Sequence, residues 1–159
     1  MPTVYSAQRT LDRAAVNGTG NSYNDGILDQ GGKVRVAYAN YTSAAEASGT
    51  TIEMLKLPKN ARVLSGQLVT GALGTSVTSA VGTDVALVDD AGTVLTAAGT
   101  ANLLAATATA SASNTAIAAT RLLGAGGVTT AETTVSITTG GATNTASINI
   151  SLWVLYVQN

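Results

Sequence analysis

The sequence contains no cysteine, no histidine and no phenylalanine, and only two prolines. Without cysteine the chain has neither a disulfide nor a thiol nucleophile, and without histidine it lacks a common zinc ligand and the side chain that titrates nearest neutral pH. Most familiar catalytic centres are removed by those two absences. Charge is scarce too: 11% of the 159 residues are Asp, Glu, Lys or Arg, against about 25% in an ordinary soluble domain. Nine acidic and eight basic residues leave a net charge of −1, without the clustered Lys and Arg that nucleic acid or an anionic membrane demands. No apolar run reaches the roughly 18 residues of a membrane span, and the start "MPTVYSAQRTLDRAAVNGTG" has neither the basic residues nor the apolar stretch of a signal peptide. The reading is a soluble protein made in a cytoplasm, with no cofactor, no metal, no nucleic acid and no membrane partner.

What is present is 45% hydrophobic residues, largely Ala, Val, Leu and Ile, set among Thr, Ser, Asn and Gly. A chain of this length is one domain long and buries roughly 68–70% of its unfolded surface. Residues 1–30 differ in kind from the remainder. A helix-compatible piece from Ser6 to Val16 leads into the Gly- and Asn-rich "NGTGNSYNDG", which reads as an arm with a flexible joint.

From Lys33 the periodicity changes to two, with Val34, Val36 and Tyr38 on one side and Arg35, Ala37 and Ala39 on the other. Further strands are predicted over 50–57 and 62–70, joined by Pro58-Lys59-Asn60 as a hairpin turn. Glu53, Lys56, Lys59 and Arg62 surround that tip, and charge there hydrates easily and guards sheet edges. A second hairpin is predicted at "ALVDDAGTVLT", with Asp89 to Gly92 as its turn. Residues 97–127 form an Ala/Thr-rich insert with no firm pattern. A terminal hairpin runs from Glu132 to Thr139, through "GGATN", into Thr145 to Val157.

In that last strand Ile148, Ile150, Leu152, Val154 and Tyr156 share one face. The opposite face starts polar and turns apolar at Trp153, Leu155 and Val157, so one end of the strand is covered on both sides. The arm, the insert or another subunit supplies that cover. Short antiparallel strands without βαβ alternation make the fold class all-β, an antiparallel β-sandwich or jelly roll with an extended N-terminal arm. The domain organisation is an arm over 1–30 and a sandwich over 31–159, carrying the insert 97–127.

Motifs for chemistry are thin. The acidic "VDDAG" lacks the carboxylate spacing of a calcium loop, and "GALG" and "GAGG" lack the Lys-Ser/Thr of a phosphate loop. Glu46, Glu53 and Glu132 are candidates for a paired-carboxylate site, but one Trp and five Tyr supply few rings to stack a sugar. The Thr runs are too irregular for a repetitive ice-binding face. Catalysis is not expected.

The span "GGKVRVAYANYTSAAEASGTTIEMLKLPKNARVLSGQLVTGALGTSVTSAVG", followed by "ETTVSITTGGATNTASINISLWVLYV", resembles a family of small tailed-bacteriophage capsid decoration, or cement, proteins of jelly-roll type, encoded beside the major capsid protein. The resemblance covers roughly Gly31 to Val157, outside the arm and the insert. It implies a virion protein on the outer capsid surface, synthesised in the host bacterial cytoplasm, whose partners are the major capsid protein and its own copies in a homotrimer. On that reading the arm residues Val4, Tyr5, Arg9 and Arg13 are capsid-contact candidates. Trp153, Leu155 and Val157 are subunit-interface candidates, and the charged tip Glu53, Lys56, Lys59 and Arg62 is a further polar contact. The alternative is a head-fibre or tail module that recognises host surface glycans.

Overall fold

The computed structural model describes residues 34–89, 91–117 and 127–158. The arm, with Val4, Tyr5, Arg9 and Arg13, lies outside the described residues. Within them, two-residue periodicity yields eleven strands and no helix. They are β1 (Val34–Thr42), β2 (Thr51–Leu57), β3 (Ala61–Thr70), β4 (Val77–Thr83), β5 (Leu87–Val88), β6 (Val94–Thr96), β7 (Gly99–Ala108), β8 (Ser113–Ile117), β9 (Val128–Thr129), β10 (Thr133–Gly141) and β11 (Asn149–Gln158).

Two antiparallel sheets face each other. One runs β1-β11-β3-β9-β5-β6, with β8 also paired to β3, and the other runs β2-β10-β4-β7. Setting aside the small β5, β6 and β9, the longer strands give β1-β11-β3-β8 against β2-β10-β4-β7, the order of an eight-stranded jelly roll. Successive long strands therefore mostly jump from sheet to sheet.

The core lies between the sheets. Ile150, Leu152 and Val154 of β11 are fully buried, as are Val135 and Ile137 of β10, Val63 of β3 and Val81 of β4. At its ends β10 turns Thr133 and Thr139 inward as well. A buried hydroxyl is costly unless paired. Thr139 Oγ1 donates to the carbonyls of Ala47 and Thr50, at 3.0 and 3.2 Å, and Thr133 Oγ1 donates to Asp84 Oδ1 at 2.5 Å. Threonine thus closes the core while holding the loops above it.

Two predicted hairpins are corrected. β2 pairs with β10 and β3 pairs with β11, so Pro58-Lys59-Asn60 is a corner between sheets. Asn60 takes a left-handed φ of 62°, and the corner's polar groups are met by Thr129: its hydroxyl donates to the Pro58 carbonyl at 2.7 Å and accepts from Ala61 N at 2.9 Å. The terminal pair is likewise split, β10 lying between β2 and β4, and β11 between β1 and β3. Alternation reports that a strand has one buried face, and a hairpin and an inter-sheet crossing satisfy that equally. The hairpin at Asp89 does form: Asp89 Oδ1 accepts from Ala91 N and Thr93 N, Gly92 has φ 81°, and β5 pairs with β6.

The Ala/Thr-rich segment 97–127 is no interruption of the sandwich. Its described part supplies β7 and β8, one strand to each sheet. Small side chains suit it because β7 approaches β4 very closely. A Cβ on Gly82 would lie 1.9 Å from the Gly99 carbonyl oxygen, so only glycine fits there. The β4–β7 ladder shifts register at this point, and buried Asn102 repairs it. Its Oδ1 accepts from Thr83 N at 2.8 Å while Nδ2 donates to Thr83 Oγ1 and the Ala97 carbonyl.

Two substitutions test this packing. Gly82→Ala drives a methyl into backbone that cannot rotate away, and a loss at or above the upper end of about 1–3 kcal/mol is expected in denaturant unfolding. Leu152→Ala, at a site with no exposure, is expected to cost about 2–5 kcal/mol by the same assay.

Candidate interaction surface

Because side chains alternate along a strand, the inward set Ile150, Leu152 and Val154 forces Trp153, Leu155 and Val157 onto the outer face of the larger sheet. Directly paired residues share a face, so the register extends that surface sideways. Trp153 lies opposite Tyr38 of β1 and Gln67 of β3, and Leu155 opposite Val36 and Ser65. The next row runs Val34, Val157, Arg62, Val128, Val88 and Val94, one residue from each of β1, β11, β3, β9, β5 and β6. At strand spacing this row of five valines about one arginine is about 24 Å long.

Val34, Val36 and Tyr38 are 61%, 62% and 60% exposed, while Trp153, Leu155 and Val157 are half-buried beside them. The apolar side of β1 is thus its solvent side, and its smaller residue Ala37 packs partly on the core. Toward the other end of the sheet the face turns polar: Asn40 Oδ1 accepts from Tyr38 Oη at 2.7 Å and from Ser151 Oγ at 2.6 Å. Sequence reading isolates Trp153, Leu155 and Val157. It misses Val88, Val94 and Val128, whose short strands become neighbours only through register.

The four charged residues assigned to a hairpin tip separate across a corner. Glu53 and Lys56 are exposed on β2, Lys59 is exposed at the corner, and Arg62 is half-buried in the valine row. Lys56 Nζ meets Glu132 Oε1 at 3.2 Å, a surface pair worth little to stability.

Glu46 is tied down elsewhere, between the 43–50 and 142–148 loops. Its carboxylate accepts from Tyr41 Oη, from Ala44 N at 2.8 Å and from Asn144 Nδ2 at 2.6 Å, and its carbonyl accepts from Asn144 N at 3.0 Å. Ser43 binds the same two loops, donating from Oγ to the Thr145 carbonyl at 2.6 Å and accepting from Ile148 N at 2.9 Å. Desolvation alone would raise the Glu46 carboxyl, but these hydrogen bonds outweigh it and hold it near a pKa of about 2. The same contact with Glu46, first by its hydrogen bond, pushes the Tyr41 phenol up. The hydrogen bond from Thr133 likewise lowers Asp84.

The three glutamates do not converge, since Glu46 is spent in this clasp and Glu53 and Glu132 lie along the β2–β10 edge. An open depression of about 390 Å³ is lined by Thr51, Thr83, Asp84, Ala98, Gly99, Thr100 and Ser136. Among the described residues its single carboxylate, Asp84, already accepts from Thr133 Oγ1 and Thr134 N, and no described ring lines it. Among the described residues no cluster of three or more acidic groups offers a metal site.

No protein-family model matches the sequence, and no curated protein matches it either. Solved structures do match the fold. A chain in the capsid of Ralstonia phage GP4 superposes with a TM-score of 0.62 at 24% identity, over 84% of this chain and 89% of that one. A chain of the acid-stable capsid of the Helicobacter pylori bacteriophage KHP30 gives 0.52 at 16% identity, over 78% and 86%. One from the cyanophage Pam1 capsid asymmetric unit gives 0.51 at 21%, over the whole of both chains. What they share with this chain is the β-sandwich fold.

Acid titration tests the clasp. A carboxyl whose folded pKa lies below its ordinary value of 4.5 contributes stability that is full above 4.5 and lost as pH falls toward about 2. Unfolding midpoints of the native chain are expected to fall across that window. Glu46→Gln is expected to lower the midpoint at pH 7 and to converge on the native value near pH 2, leaving a shallower slope from Asp84.

Proposed function

We propose that this chain is a non-enzymatic structural protein of a tailed-phage virion: a decoration protein that binds the outer capsid surface as a trimer and bridges neighbouring capsomers. The observation that carries the reading is the outer face of the larger sheet. A jelly roll that keeps Trp153, Leu155, Val157, Val36 and Tyr38 on its solvent side is built to be covered by another protein. The fold likeness to chains from three phage capsids supports a setting in which that cover exists. Trp153, Leu155 and Val157 pack between copies, and Val4, Tyr5, Arg9 and Arg13 of the arm contact the major capsid protein.

Such a protein stabilises a shell by binding the assembled form and not the separated subunits. Three contacts on one rigid trimer act together, and avidity exceeds that of each by ~10²–10⁴. Particles carrying the protein are therefore expected to survive a heat challenge that ruptures particles lacking it. Unchanged rupture with reduced host adsorption would instead favour the glycan-recognition reading. Deleting residues 1–16 is expected to lower capsid occupancy, measured by cryo-electron microscopy of the virion. Trp153→Ala is expected to weaken self-association by about 2 kcal/mol, roughly 30-fold, in sedimentation equilibrium.

A further inference from the structure

Sheet edges normally carry devices that stop another strand from joining them: charge, bulges, or shortness. Among the described residues three edges carry them, and a fourth, β8, offers only five residues to a partner. β2 has Glu53 and Lys56 and a register shift opposite Val135 and Ser136. β7 shifts register twice against β4. β6 is three residues long with a shift against β5.

β1 carries none. It is nine residues long, pairs with β11 through nine consecutive positions without a shift, and among the described residues pairs with no other strand. It contains no proline or glycine and one charge, Arg35. Its outer side presents Val34, Val36 and Tyr38 to solvent, continuous with Leu155 and Trp153.

We propose that the free edge of β1 pairs antiparallel with β1 of a second copy, about a two-fold axis between Val36 and Tyr38, joining two sandwiches into one continuous sheet. The occupant follows from the strand's own pattern. Antiparallel pairing about this axis sets each Arg35 opposite Ala39, so the lone charge never meets its like. Val36 falls opposite Tyr38 and Val34 opposite Asn40, and a β-branched side chain against an aromatic ring is a favourable cross-strand pair. A partner of opposite charge would find only one residue to recognise. The two apolar outer faces become one, with Tyr38 and Trp153 of each copy flanking the axis.

This contact is separate from the closed ring proposed above, since it uses the edge of the sheet and not its face. It does not rest on the capsid reading, because the pair forms or fails to form in the isolated chain. On a shell it would link one ring to the next.

The absence of cysteine makes the test clean. Full-length Val34→Cys and Asn40→Cys chains are prepared separately and treated, alone and mixed, with a bismaleimide spanning about 8 Å, the reach of a diagonal cross-strand pair. In the antiparallel pair Val34 of one copy lies opposite Asn40 of the other, while the two Val34 side chains are about 20 Å apart. The mixture is expected to cross-link several-fold more than either variant alone. Val36→Glu, added to both, is expected to abolish the product while leaving the melting temperature unchanged.

Equal yields from the mixture and the single variants would overturn the proposal, as would no product from chains that melt normally. Persistence of the product in the Val36→Glu background would also overturn it. In whole particles, cross-links from position 34 to another virion protein, with none between copies, would assign the edge to a different partner.

Discussion

Burial of Ile150, Leu152 and Val154 beneath the smaller sheet fixes the register of β11, and most of the molecule's surface character follows from that one packing choice. A shift by one residue would bring Trp153 and Leu155 inward and expel the core, so the register has no near alternative. β11 lies between β1 and β3, and its register is handed to both neighbours by the backbone ladder. The outward placement of Val36 and Tyr38 on β1, and of Arg62 on β3, is a consequence. Through Arg62 the same constraint reaches β9, β5 and β6, which is why valines from three two- and three-residue strands fall into line with Val34 and Val157.

The sequence made some of this legible and hid the rest for identifiable reasons. The two faces of the last strand are readable because alternation is a local property, and Ile150, Leu152 and Val154 are as buried as their spacing implies. Strand partners are not local. The turns at Pro58 and Gly140 look like hairpins because nothing within ten residues distinguishes folding back in one sheet from crossing to the other. β7 and β8 were hidden by their small side chains, which signal no face strongly. The smallness of β7 answers to the close approach of Gly82 on β4 to Gly99, a contact between strands that no local pattern announces. The Glu46 clasp joins residues 98 apart, and no spacing rule finds it.

The two ends of the sandwich differ in how they are held. Around Ser43 and Glu46 the loops are cross-braced by side chains that bond backbone groups, and Ala45 and Ser147 hold left-handed φ values of 65° and 63° there. Non-glycine residues stay in that region only when their surroundings insist on it. The carboxylate of Glu46, held at a pKa of about 2, stays ionised and keeps its bonds at neutral pH. That end is a fixed frame, and β1 and β11 enter it with Thr42 Oγ1 donating to Asn149 Oδ1 at 3.1 Å.

Scarcity of charge then takes on a mechanical meaning. In a free monomer an unbulged edge with a single charge and an apolar outer face are liabilities, since both invite association. In a protein that works as one of many identical copies held on a lattice, the same features are the means of association. A single strand pair buries less than the ~800 Å² per partner of a standard stable interface, so it is weak between molecules free in solution. Copies held side by side on a common support meet at effective concentrations up to the millimolar range, where a weak contact is occupied. The protected edges β2, β6 and β7 then matter as much as the open one. They leave β1 as the long open edge, beside the five-residue β8, and a two-fold contact through β1 alone closes on itself and does not propagate into a fibre.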